Sequence, residues 1–184
     1  VRIEGLEEKV LENVQKVLRT PAGIVQPDGK VNLPLLRRFE QDAPKRVKEA
    51  VEPFGYYESR VETSLQRSPA GVYELTVRVD PGEPVRVRSI QVKVEGPGEG
   101  EEGLRRLVRR FPLEPGAILR QDRYEQAKSA MRSRAVDLGY LDAEYTVHRI
   151  EVDVGQRKAD IELVLATGNR YYFNGVTFSG STSY

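Results

Sequence analysis

Few side chains in this sequence could carry out catalytic or metal chemistry. The chain has no cysteine, which excludes disulfides, thiolate metal sites and cysteine nucleophiles. Its single histidine, His148, lies in an alternating strand pattern with no second histidine or cysteine to share a metal, so we interpret it as solvated or bulge-lining. Carboxylates such as Glu7, Glu8, Glu101 and Glu102 stand where helices are predicted to begin, and there they favour the positive end of the helix dipole. We therefore predict a protein that is not an enzyme and binds neither metal nor cofactor.

Three other stretches could be interpreted as binding motifs. The glycines of 96–100 do not form a phosphate cradle, because no lysine with a following serine or threonine comes after them in P-loop order. The arginine-rich run 105–110 could contact lipid headgroups or an acidic partner, but a helix with apolar residues towards the core and solvated arginines explains it more simply. Six aromatic residues could stack on bases or sugars, but they recur at equivalent points of a repeat, which favours packing. They are Tyr56, Tyr57, Tyr140, Tyr171, Tyr172 and Phe173.

Composition limits the class of protein further. With 184 residues, 39% of them hydrophobic and 31% charged, the chain has the make-up of a globular protein of one large or two small domains. Its 29 basic and 28 acidic residues give a net charge of +1, which argues against a dedicated nucleic-acid binder. No stretch is apolar enough for a transmembrane helix or a signal peptide, so we expect any such segment to have been removed.

An internal repeat is the strongest signal in the sequence. The segments 54–58 and 138–142 match at a separation of 84 positions, and each ends an amphipathic helix with a glycine followed by tyrosine. Glycine can adopt the left-handed conformation at a helix C-terminus, so Gly55 and Gly139 are predicted to end these helices. Gly82 and Gly168, 86 positions apart, stand before the next strand in each copy. A whole structural unit therefore repeats with almost constant length.

Each unit is predicted to run strand, helix, helix, strand, strand. In the first unit, Val61, Thr63 and Leu65 alternate with polar residues and are followed by a second alternating stretch, which is typical of a half-buried hairpin. In the second unit, Tyr145 and Val147 begin the equivalent hairpin, and a change of phase near His148 requires a bulge. In the long first-unit helix, Pro44 is expected to start or kink a segment.

These patterns place the domain boundaries. We predict a first domain at 1–81, a second at 82–167, and the opening strand of a truncated third at 168–184. Only 80–83, a short stretch containing a proline, separates the closing strand of the first unit from the opening strand of the second.

The repeated unit resembles a known family. The opening at 1–6, the segment 54–57, the helix from Tyr124 to 138–140, and the stretches 168–173 and 176–180 resemble the POTRA domains of the outer-membrane barrel assembly superfamily, and look most like its TamA-type members. The resemblance implies an α+β fold of tandem βααββ modules, each with a three-stranded mixed sheet packed against two helices. It also implies a non-catalytic arm on the periplasmic side of the bacterial outer membrane, preceding a β-barrel and helping to insert or secrete other proteins.

The resemblance also implies partners. These are unfolded outer-membrane or autotransporter polypeptides and a TamB-like partner anchored in the inner membrane, with no nucleic acid; we expect the fragment to be monomeric. The alternative is a periplasmic POTRA-type scaffold of a secretion or cell-division complex that has no barrel. A run of alternating strands after this sequence would favour the assembly factor, and a single transmembrane helix before it would favour the scaffold.

A module of this kind can bind unfolded polypeptide without reading its sequence, by offering an unpaired sheet edge to an extended segment. The fold implies that the first hairpin strand of each unit, 58–66 and 142–152, is the free edge. The predicted binding residues are Val61, Thr63, Leu65, Tyr145 and Val147. The residues predicted to be structural are Gly55, Tyr56, Gly139, Tyr140, Gly82 and Gly168.

Overall fold

A computed structural model of the chain describes residues 1–172. The first module runs β1 (Arg2–Glu4), α1 (Glu8–Val17), α2 (Leu33–Val51), β2 (Arg60–Arg67) and β3 (Tyr73–Asp80). The second runs β4 (Arg86–Glu95), α3 (Glu102–Arg109), α4 (Gln121–Asp137), β5 (Glu144–Asp153) and β6 (Lys158–Ala166). Short 3-10 turns lie at Glu52–Phe54 and Pro97–Gly100. The predicted fold class, tandem βααββ modules of α+β type, is confirmed.

The first sheet has the strand order β1-β3-β2. β1 pairs parallel to β3, with Ile3 opposite Val77, and β2 pairs antiparallel to β3 along its whole length, with Thr63 also opposite Val77. β3 is therefore the central strand and alternates cleanly, burying Leu75, Val77 and Val79. The short β1 and the longer β2 form the two edges.

The helices of the first module bury one apolar stripe each. Asn32 precedes α2 and caps it, because its side chain accepts a hydrogen bond from the backbone N–H of Leu35 (3.2 Å). The core formed by α1, α2 and β3 contains the following side chains, all buried: Val10, Val14, Leu18, Leu36, Phe39, Ala43, Val47, Val51, Leu75, Val77 and Val79.

Pro44 was expected to start or to kink a segment; it lies inside α2, which runs without interruption from Leu33 to Val51, so a new segment does not start there. Proline removes the hydrogen bond that would reach the carbonyl of Glu40. The neighbouring residues Phe39, Ala43 and Val47 are nonetheless all buried, and their packing maintains the helix across this position. Tertiary packing thus outweighs the local preference of proline.

The second sheet has the order β4-β6-β5, with β6 central and none of its residues exposed. α4 buries Tyr124, Met131 and Ala135, and α3 buries Leu104. Two edge strands shift phase: consecutive exposed residues occur at Arg88 and Ser89 in β4 and at His148 and Arg149 in β5. The apolar side chains on both sides of each shift still point to the helices, as they do across a β-bulge.

The contacts group the chain into two compact units. One comprises Val1–Ser89, Leu113–Tyr124 and Glu151–Asp160, and the other comprises Ile90–Pro112, Glu125–Ile150 and the described residues from Ile161 on. The predicted opening strand of a third module, at 168–184, lies largely outside the described residues. Its described part, 168–172, contains no strand.

Candidate functional site

Two glycines set the path of the chain into each candidate edge strand. Gly55 and Gly139 follow the long helices with φ of +94° and +95°, in the left-handed region. Their carbonyl groups accept hydrogen bonds from the backbone N–H groups of Val85 and Tyr171, both at 2.8 Å. The same bond thus recurs at equivalent points of the repeat, and it ties the end of each helix to the segment that follows each hairpin.

The remaining residues predicted to be structural lie beside these glycines. Tyr140 is buried and its hydroxyl lies 3.1 Å from Glu101 Oε1, whereas Tyr56 is half-buried against the first core. A Cβ on Gly82 would lie 3.6 Å from the carbonyl oxygen of Glu58, and a Cβ on Gly168 would lie 3.2 Å from the Cβ of Asp142. Both glycines therefore pack against the residue three positions after the helix-ending glycine.

The first candidate edge strand is β2. It is eight residues long and, among residues 1–172, pairs only with β3. Val61 and Leu65 pack against the first core, and Thr63 between them is half-buried on the same face. The alternating residues Glu62 and Ser64 are exposed. β2 thus presents a regular strand that is supported on one face by α2.

Stereochemistry fixes which backbone groups of β2 face outward. In β4, Val87 has a buried side chain and its N–H and C=O both point away from the sheet, bonding to Ala117 and Gly116. β2 lies at the opposite edge of its own sheet and runs in the opposite direction. A half-turn about the sheet normal therefore superimposes one strand on the other, and it keeps helix-facing side chains helix-facing. In β2, as in β4, a residue whose side chain faces the helices thus has its N–H and C=O on the outer edge. The backbone groups of Val61, Thr63 and Leu65 therefore point to the open edge.

β5 occupies the equivalent place in the second sheet. Tyr145 and Val147 are half-buried on the helix side, and the Tyr145 hydroxyl donates a hydrogen bond to the Lys128 carbonyl in α4 (2.5 Å). A polar groove of about 400 Å³ lies between the two elements, lined by Glu125, Ser129, Arg132 and Tyr145 among others. Tyr145 and Val147 therefore lie beside a polar groove, whereas Val61 and Leu65 in β2 pack on an apolar core.

Charged pairs fasten the strands that support these edges. Arg88 in β4 hydrogen-bonds Asp160 in β6 through two guanidinium nitrogens, and the Ser89 hydroxyl also donates to Asp160 (2.5 Å). The bond from Arg88, reinforced by Ser89, lowers the pKa of Asp160 to about 2. Elsewhere, the Tyr57 hydroxyl accepts a bond from Gln121 (2.8 Å), and burial raises the pKa of Tyr57. These bonds join β4 to β6 and Tyr57 to the start of α4.

Within the described part of the chain, no three histidine, cysteine, aspartate or glutamate residues are grouped closely enough to hold a metal ion. His148 is exposed at the phase shift in β5. None of the helices in residues 1–172 is both long and apolar enough to cross a membrane. The arginines of 105–110 are all exposed, while Leu104 beneath them is buried.

Sequence reasoning missed the second edge of the second sheet. Among residues 1–172, the outer edge of β4 is covered only at its start, where 116–119 runs antiparallel to it with Ile118 opposite Arg86. The sequence did contain a signal for this edge. Apolar residues fall on odd positions up to Val87 and on even positions from Ile90 to Val94, and the polar pair Arg88 and Ser89 lies between the two runs. That pattern indicates a bulged edge strand.

Comparison with known proteins gives the class of these modules. Residues 1–81 match the family model described as "POTRA domain TamA domain 1", and residues 86–167 match the POTRA model described as "Surface antigen variable number repeat". Each match spans one βααββ module, so the fold and the two matches together define a tandem of POTRA domains. The chain belongs to the POTRA family, and its first module matches the TamA-type model, which confirms the predicted resemblance to POTRA domains.

Solved structures with similarity to this chain include POTRA domains of two kinds of protein. A crystal structure of Haemophilus influenzae BamA POTRA3-5 matches at 19% identity and a TM-score of 0.46, over 97% of this chain and 71% of that one. POTRA1-2 of the periplasmic domain of Omp85 from Anabaena matches at 19% identity and a TM-score of 0.38, over 92% and 93% of the two chains. BamA from Haemophilus ducreyi lacking POTRA domains 1-3 matches at 20% identity and a TM-score of 0.38, and this chain spans 28% of its length.

Proposed function

We propose that this chain is the non-catalytic, periplasmic, polypeptide-binding region of an outer-membrane protein assembly or translocation factor, and that it binds extended segments by adding them to β2. The observation that supports this most directly is the position of β2. It is an eight-residue lateral strand with a partner on one side only among the described residues. The strand at the other edge of the sheet, β1, has only three residues and so offers fewer backbone groups for pairing.

The chemistry of β2 suits a partner that is chosen for its extended shape more than for its sequence. The outward N–H and C=O groups of Val61, Thr63 and Leu65 can form a ladder with any backbone except proline. The side chains on the solvent face include Arg60, Glu62 and Ser64, which keep the edge soluble when it is empty. Binding would thus rest on main-chain hydrogen bonds, with modest contributions from side chains.

The proposed partners are those that the POTRA resemblance implies. Unfolded outer-membrane or autotransporter polypeptides would be the clients, and a TamB-like protein anchored in the inner membrane would be a stable partner. The full-length protein would carry an outer-membrane barrel after these domains. We assign 1–81 and 82–167 as the two complete domains, 168–184 as the start of a third, and β5 around Tyr145 and Val147 as a second candidate edge.

A proline scan tests the β2 edge. Val61→Pro and Thr63→Pro each remove one outward N–H, so binding of an unfolded outer-membrane barrel peptide should fall about tenfold while the module stays folded, since edge strands tolerate proline. Thr63→Ala keeps the N–H and serves as the matched control. NMR titration of the labelled chain measures both affinity and location. Equal binding by all variants, or shifts centred on the helix at 33–54, would move the site away from this edge.

A further inference from the structure

The second module has an open groove that the proposed function does not use. It lies between β4 and α3 and has a volume of about 590 Å³; we call it the β4–α3 groove. Val92, Val94 and Val108 give it apolar lining, and Lys93, Arg105 and Arg109 give it a basic wall. Glu95 and Glu99 complete the lining, and the Arg105 guanidinium donates to the Glu99 carbonyl (3.1 Å).

The chain itself shows that the outer edge of β4 accepts an extended segment. At the start of the strand, the N–H of Val87 donates to Ala117 (2.9 Å), and the N–H of Gly116 donates to Val87 (2.8 Å). The N–H of Leu119 donates to Val85 at 2.8 Å, which completes a short antiparallel ladder with 116–119. This ladder ends before the bulge at Arg88 and Ser89.

Beyond the bulge the same edge continues into the groove. Ile90, Val92 and Val94 have half-buried side chains on the helix side, so their N–H and C=O groups point outward as those of Val87 do. The next carbonyl, that of Glu95, points inward and accepts from the N–H of Thr167 (3.0 Å), as this alternation requires. Among residues 1–172, β6 is the only strand paired with β4, so the edge from 90 to 94 has room for another.

Charge indicates which segment would fit. Arg105 and Arg109 are exposed beside the groove, and the bond from Arg109 to Glu102 (2.7 Å) joins side chains that are 59% and 61% exposed. A pair so exposed contributes little, so a carboxylate from a partner can replace Glu102 at small cost. The recessed valines, in turn, provide contact area for aliphatic side chains. Lipid headgroups would engage the arginines but would leave the recessed backbone edge unpaired.

We propose that the β4–α3 groove binds an extended acidic polypeptide segment, which adds antiparallel to 90–94 as a further strand. On its helix-facing side, carboxylates would pair with Arg105 and Arg109, and aliphatic residues would contact Val92 and Val108. The site lies on a different strand and a different module from β2. It therefore gives the arginine run of α3 a role that binding at β2 does not require.

The probe is a blocked peptide of about nine residues with the repeat Val-Thr-Glu-Thr, which places valine and glutamate alternately on one face of a strand. NMR titration of the labelled chain should shift the amides of Ile90, Val92 and Val94 together with those of α3. The double variant Arg105→Glu/Arg109→Glu should bind about tenfold more weakly. Arg106→Glu/Arg110→Glu makes the same change in charge outside the groove lining and should bind within about twofold of the unaltered chain.

Two further peptides separate strand addition from general attraction of charges. A version with lysine in place of glutamate, and one N-methylated at alternate residues, should both lose binding. Equal weakening by both arginine pairs, or undiminished binding of the N-methylated peptide, would overturn the proposal. Binding to phosphatidylglycerol vesicles without binding to the peptide would assign the arginines to a lipid surface instead. Val61→Pro should leave this binding unchanged, so shifts confined to β2 would overturn this groove while supporting the β2 edge.

Discussion

The glycines that end the two long helices are the residues on which the repeat depends most. Gly55 and Gly139 share the same backbone conformation, and neither has a side chain that could pack in a core. Their absence of a Cβ matters because backbone atoms approach closely: a Cβ at Gly55 would lie 2.9 Å from the Leu119 carbonyl oxygen, and one at Gly139 would lie 2.6 Å from that of Tyr171. Both conformation and space therefore select glycine.

Gly55→Val and Gly139→Val should each lower the free energy of unfolding by about 2 to 3 kcal/mol, because a β-branched residue is strained at positive φ and meets a backbone oxygen. Gly100→Val is the matched control, since nothing lies within 4 Å of its Cβ position. Urea unfolding followed by circular dichroism measures the difference. If all three variants unfold at the same urea concentration, the glycines do not carry this constraint.

Asp160 gives a test of the strand pairing in the second sheet. Its pKa is held at about 2, below the ordinary 3.8, chiefly by the hydrogen bond from Arg88. A lowered pKa contributes stability that is present above pH 3.8 and is lost as the pH falls through about 2. Arg88→Ala should return the pKa towards 3.8, measured by the NMR shift of the Asp160 carboxyl carbon against pH. The same titration curve in both proteins would show that Arg88 does not hold this carboxylate.

Among the helices and strands, local preference and tertiary packing disagree most clearly in α2. The helix contains two prolines, Pro34 in its first turn and Pro44 in its interior. The first is favourable, because the N–H groups of the first turn have no helical partner. The second removes a bond from the Glu40 carbonyl in the middle of a helix whose neighbouring turns are buried.

Pro44→Ala should therefore stabilise the chain, by about 1 to 3 kcal/mol, by restoring that hydrogen bond and improving helix propensity. Pro34→Ala should change stability by less than about 0.5 kcal/mol, because proline is well suited to the first turn. Thermal unfolding of the two variants beside the parent chain gives the comparison. A Pro44→Ala variant that melts at a lower temperature would mean that the proline ring contributes more by packing than its missing N–H costs.

At the scale of the whole chain, the contacts of Val85 bear on where the first domain ends. The predicted boundary at 81 follows the closing strand, and the first family match also ends there. Yet Val85 is 1% exposed and donates its N–H to Gly55. The first compact unit likewise continues to Ser89, and it also includes Leu113–Tyr124 and Glu151–Asp160. A fragment cut at 81 would lose the bond that ties the end of the long helix to the following segment.

We accordingly expect a fragment of 1–89 to melt at a temperature several degrees above that of 1–81, since about 1 kcal/mol corresponds to roughly 4 to 8 °C in a domain of this size. A 1–89 fragment carrying Val85→Gly keeps the backbone donor but loses the side chain, and it separates the two contributions. Identical melting of 1–81 and 1–89 would place the boundary at 81 and make the Val85 contact irrelevant to the stability of the first module.

The sequence alone was sufficient for the features that depend on local pattern. Each motif that recurs 84 positions apart lies within a short stretch of the chain, where periodicity and backbone preference act directly. The same holds for the order of helices and strands, the glycines after each long helix and the POTRA resemblance. The change of phase near His148 in β5 was also predictable, because a break in alternation is itself a local signal.

Tertiary structure decided which edges are open and which helix-breaking residues are tolerated. The ladder between 116–119 and the start of β4 was not predicted from the sequence. For Pro44 the sequence left open a new segment or a kink, and the structure has a continuous α2 there. Pairing of β4 with 116–119 joins segments about 30 residues apart, and no local preference specifies such a partner. Pro44 is retained because the buried face of α2 outweighs one lost hydrogen bond, a balance that exists only once the core has formed.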